Sequence, residues 1–64
     1  MKLTIQDLEI NDRVNVYPND NDVFLEFEGR ITGFEKNLIK VVDGDGDTFD
    51  VTINQIELVN GQYA

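Results

Sequence analysis

Cysteine, histidine, serine and tryptophan are all absent from this 64-residue chain. Without cysteine no disulfide braces the fold, and without histidine or cysteine a structural metal would have to be held by oxygen ligands alone. The same absences remove the usual catalytic nucleophiles and the side chain that titrates near neutrality, so the chain is expected not to be an enzyme and to need no cofactor. Long apolar runs are missing as well, the longest being two or three residues such as Val23-Phe24-Leu25. That excludes a membrane-spanning helix, and the Met1-Lys2 start lacks the apolar core of a secretory signal, so a soluble, cytoplasmic protein is the expectation.

Positive charge is scarce. Five Lys and Arg stand against thirteen Asp and Glu, a formal charge of -8. No basic residue occurs from Val14 to Gly29, where Asp20, Asp22, Glu26 and Glu28 lie, nor from Val41 to Ala64, where Asp43, Asp45, Asp47, Asp50 and Glu57 lie. Direct binding to nucleic acid would be opposed, since that affinity rests on Lys and Arg displacing counterions. An acidic surface serves solubility, or else it meets a basic partner.

What the chain does have is β patterning. Neither linker nor repeat appears, so residues 1 to 64 are read as one domain with its core at about 3 to 59. Thr4-Ile5-Gln6-Asp7 has capping-box spacing and predicts one helical turn. Arg13-Val14-Asn15-Val16-Tyr17 alternates, with Val14 and Val16 inward, until Pro18 ends the strand. After the polar loop Asn19-Asp20-Asn21-Asp22, residues 23 to 34 form the longest extended run; its parity predicts that Val23, Leu25, Phe27 and Ile31 are buried and Phe24 is on the polar side. Gly29 and Gly33 fall where a strongly bent strand needs residues without a Cβ. Residues 38 to 42, 48 to 53 and 56 to 59 read as three further strands, with a tight turn at Glu35-Lys36-Asn37. Five short strands in so small a chain predict an all-β, partly open barrel.

Three stretches resemble the SH3-like barrels of the KOW and Tudor kind. Leu8-Glu9-Ile10-Asn11-Asp12-Arg13-Val14-Asn15-Val16 looks like their lead-in, with Asn11 where glycine is frequent; Asn also visits left-handed backbone. Gly29-Arg30-Ile31-Thr32-Gly33-Phe34 is similar to the KOW core, and residues 51 to 59 resemble the ending in which a 3-10 turn leads into the last strand. The Tudor resemblance implies an aromatic cage for methylated Lys or Arg, to which Tyr17 and Phe24 would contribute with Asp20 and Asp22 near. The KOW resemblance implies RNA contacts, yet this chain lacks the basic surface they require.

The stretch Asp43-Gly44-Asp45-Gly46-Asp47 has oxygen ligands at the first three spacings of an EF-hand loop, but Thr48 replaces the turn glycine and Asn54 the bidentate glutamate. Turn chemistry between two strands is the simpler reading; a weak divalent-ion site at Asp43, Asp45, Asp47 and Asp50 is the alternative. The function expected from the whole is a non-enzymatic protein-interaction module whose acidic surface docks on a basic partner through Tyr17, Asp20, Asp22, Phe24, Asp43, Asp45 and Asp47. An inhibitor mimicking nucleic acid, or a stand-alone domain whose charge serves solubility, are the alternatives. Open strand edges allow a monomer or a weak dimer.

Overall fold

The computed structural model describes residues 4–59. Met1, Lys2 and Leu3, where the core is expected to begin, lie outside the described residues, as do residues 60 to 64. A 3-10 turn, Ile5–Asp7, opens the described chain; the Thr4 N–H and hydroxyl both donate to Asp7 Oδ2, at 2.9 and 3.1 Å, which is the predicted cap. Five strands follow: β1 (Arg13–Val16), β2 (Phe27–Glu35), β3 (Leu38–Val42), β4 (Thr48–Val51) and, after a second 3-10 turn at Ile53–Gln55, β5 (Ile56–Leu58). They form one antiparallel sheet in the order β4-β3-β2-β1-β5. The sheet is not closed, so among the described residues β4 and β5 each keep one unpaired edge.

β2 bends this sheet around its core. Its first residues pair with β1, Phe27 opposite Val16 and Gly29 opposite Val14, whereas Arg30 to Glu35 pair with β3. Gly29 sits where the two halves close on each other. A Cβ there would lie 2.5 Å from Val41 Cγ1 and 2.6 Å from the Val42 carbonyl oxygen, so only glycine fits. The register slips between Ile31 and Gly33, a bulge that adds to the bend. Gly33 leaves room around it, its nearest neighbour being Lys40 Cδ at 3.8 Å from an added Cβ. Asn11 adopts φ 80, the left-handed backbone its resemblance to a glycine position requires.

Alternation fills the interior with aliphatic side chains. Leu8, Val14, Val16, Ile31, Ile39, Val41, Val51 and Ile56 are buried together, with Ile5, Phe24, Phe27, Phe49, Ile53 and Leu58 packed against them. One expectation fails here: Val23 is 99% exposed and Leu25 85%, and Phe27 is only half-buried. The extended run from residue 23 does not exist as a strand, because β2 begins at Phe27. Ahead of it the chain is a loop, two-residue parity has no ladder to enforce it, and Phe24 turns inward instead. An aromatic ring buries more area than Val or Leu, and it meets two other rings. Other bounds differ by one or two residues: β1 stops at Val16, β4 at Val51 where the second turn takes over, and β5 at Leu58.

Candidate interaction surface

The loop from Tyr17 to Glu26 is fixed from below by two separate devices. The first is Gln55, only 5% exposed, in the second 3-10 turn. Its side-chain N–H groups donate to the Tyr17 carbonyl and to Asp22 Oδ2, both at 3.0 Å, while its Oε1 accepts from the Thr52 N–H at 3.0 Å and hydroxyl at 3.2 Å. Its backbone carbonyl also accepts the Tyr17 N–H at 2.8 Å. Asp22 Oδ2 in turn accepts the Asn19 N–H at 2.9 Å. Every polar group of the Gln55 side chain is thus used, as burial demands.

The second device is a cluster of three rings. Phe24 meets Phe27 edge-on with centroids 5.6 Å apart and Phe49 at 5.3 Å, while Phe27 and Phe49 are 4.8 Å apart. Phe49 belongs to β4, so the ring contact carries the loop across to that strand. It also brings the two acidic stretches of the sequence onto neighbouring elements, the loop from Tyr17 to Glu26 with the start of β2, and the β3–β4 hairpin.

The predicted contact residues separate on this geometry. Phe24 is a loop anchor, and Tyr17 is tied down: its hydroxyl donates to Glu57 Oε1 at 2.6 Å. That hydrogen bond, then desolvation and the charges of Glu57 and Glu26, hold the Tyr17 hydroxyl above its ordinary pKa. Among the described residues the ring contacts are those of Phe24, Phe27 and Phe49, and Tyr17 is not in that cluster. Asp22 is spent on Gln55 and Asn19. Asp20, Asp22, Asp45 and Asp47 are all exposed. Val23 and Leu25, which the parity reading sends inward, instead stand out from the loop on either side of Phe24.

At the hairpin tip Asp43 acts as a turn residue. Its Oδ1 accepts the N–H groups of Asp45 and Asp47, each at 2.9 Å, its own N–H donates to the Asp47 carbonyl at 2.9 Å, and Gly46 supplies φ 91. The inward aim of Asp43 leaves the four aspartates dispersed. Among the described residues no three Asp, Glu, His or Cys side chains gather as a metal site.

Among the described residues, Lys40 and Arg13 are held in ion pairs. Lys40 contacts Asp50 at 3.3 Å and Glu35 at 3.4 Å, and these bonds raise its pKa. Arg13 pairs with Glu28 at 2.7 Å and faces Arg30 across β1 and β2. Both arginines line an open depression of about 490 Å3 with Glu28, Gly29, Val42, Asp43 and Gly44. No helix among the described residues is long and apolar enough to cross a membrane. Neither family models, nor curated proteins, nor solved structures offer a match to this chain.

Proposed function

We propose that this chain is a non-enzymatic interaction module, a barrel of the SH3-like kind that docks on a basic protein surface through its 17 to 26 loop. The observation that carries this reading is the exposure of Val23 and Leu25, at 99% and 85%, inside a stretch whose charges are all negative. Apolar side chains left in water at the crest of an acidic loop are what a docking contact needs. The carboxylates of Asp20 and Glu26 steer a cationic partner and fix its sign, and the two apolar groups supply the holding energy on desolvation. Gln55 and the three rings order the loop beforehand, which lowers the entropy lost on binding.

The test is capture of partners at low salt by the parent protein and by a Val23→Ser/Leu25→Ser variant, with elution by rising salt. A basic partner held by the parent, weakened by salt and lost from the variant supports docking through this loop. A partner indifferent to Val23 and Leu25 but lost when acidic residues are neutralised across a whole face would instead favour mimicry of nucleic acid. Capture of nothing by the parent would return the charge to a role in solubility.

A further inference from the structure

Among the described residues β4 is the last strand at one end of the sheet, and only β3 pairs with it. The ladder tells which of its backbone groups face outward. Asp43 donates its N–H to the Asp47 carbonyl, and bonded pairs in an antiparallel ladder recur at every second position, so Val41 with Phe49 and Ile39 with Val51 exchange backbone bonds. The far side of β3 agrees, because Ile31, opposite Val41, gives its N–H to Asp12 and its carbonyl to Asn11 rather than to β3. Thr48 and Asp50 therefore hold their N–H and C=O groups away from β3. Both residues are exposed, and no loop segment among the described residues bonds to their backbone.

These free groups recur at a two-residue spacing, about 7 Å, which is the repeat of an extended chain and not of a helix. Their surroundings set the charge of what fits. Asp45 and Asp47 precede the edge, Asp50 lies on it with its carboxylate paired to Lys40, and the Phe24–Phe49 contact sets the acidic loop with Val23 and Leu25 beside it. A second copy of the same edge would bring like charges together, so edge-to-edge self-pairing is disfavoured. We propose that β4 accepts an extended basic peptide segment as a sixth strand, bonded to the backbone of Thr48 and Asp50, with its Lys or Arg side chains toward Asp45 and Asp47. This rests on the docking reading and names the conformation and the edge by which the basic partner is held.

The experiment titrates isotope-labelled protein at low salt with a short blocked peptide alternating lysine and valine, following backbone amide exchange. Binding should slow exchange at the Thr48 and Asp50 amides while leaving those of β5 unchanged. Asp50→Pro removes an outward N–H without breaking the β3 ladder and should weaken binding about tenfold; Asp50→Asn keeps the N–H and should weaken it only about threefold. Binding with unaltered Thr48 and Asp50 exchange, or with Asp50→Pro no worse than Asp50→Asn, overturns strand addition. If in that case Val23→Ser/Leu25→Ser still abolishes binding, the docking loop stands without it. Absence of any peptide binding by the parent overturns both, and should Asp50→Pro not fold, the exchange pattern of the parent decides.

Discussion

The side-chain amide of Gln55 donates to the carboxylate of Asp22 at 3.0 Å, joining the turn before β5 to a loop 33 positions earlier. Gln55→Ala leaves the Tyr17 carbonyl and the Thr52 N–H without their side-chain partner and opens a void, so urea unfolding should show a loss of about 2 kcal/mol or more. Gln55→Glu is the sharper variant. It sets a carboxylate against Asp22, and this repulsion raises the proton affinity of the folded state. The variant should be less stable than the parent at neutral pH and should recover part of the difference as pH falls through the carboxylate range. A constant difference across that range would sink the assigned contact.

Gly29 and Gly33 should respond very differently to alanine. At Gly29 the added Cβ meets the Val42 carbonyl oxygen at 2.6 Å, a backbone atom that no rotamer change removes, and the strands must separate. Gly29→Ala is expected to cost about 2 to 3 kcal/mol, while Gly33→Ala, with open space, should fall within about 0.5 kcal/mol of the parent. Thermal and urea unfolding of the two variants measure this directly, and equal losses would contradict the bend assigned to Gly29.

Asp43 and Asp45 look alike in sequence but differ in duty. Removing the Asp43 carboxylate deprives two backbone N–H groups of their acceptor, so Asp43→Ala should lose about 1 to 2 kcal/mol, whereas Asp45→Ala should change stability little. Calcium addition is expected to leave the unfolding midpoint of the parent unmoved. A clear calcium-dependent rise, abolished in Asp47→Asn, would restore the ion-site reading of this stretch.

Tyr17 provides a pH signature. Its hydroxyl has a raised pKa because the neutral form donates to Glu57, so the stability this bond gives is fully present below the ordinary tyrosine pKa and is lost as pH rises through the raised folded value. In a Tyr63→Phe background the ultraviolet titration reports Tyr17 alone. Adding Glu57→Gln should move its midpoint downward, toward that of free tyrosine. An unmoved midpoint would show that the hydrogen bond does not set the shift.

Local chemistry was readable where one segment decides its own shape. The Thr4–Asp7 cap and the Asp43 turn each depend on residues within four positions of one another, and β3 has the expected bounds because alternation there acts within a sheet. The loop from Tyr17 to Glu26 was not readable. Val23-Phe24-Leu25 can turn either its middle or its flanks inward, and the choice is made by rings at 27 and 49 whose proximity only the folded sheet creates. Gln55 gave only a local signal, the capping-box spacing of Thr52-Ile53-Asn54-Gln55, since its other partners, Tyr17 and Asp22, are distant in sequence.

The loop's fastening has a consequence for redesign. Gln55 and Phe24 hold it from the inside, while Val23 and Leu25 contribute no packing to the core. The residues proposed to make the docking contact are therefore separable from the scaffold: exchanging Asp20, Val23 and Leu25 as a cassette should leave the melting temperature nearly constant, whatever it does to binding.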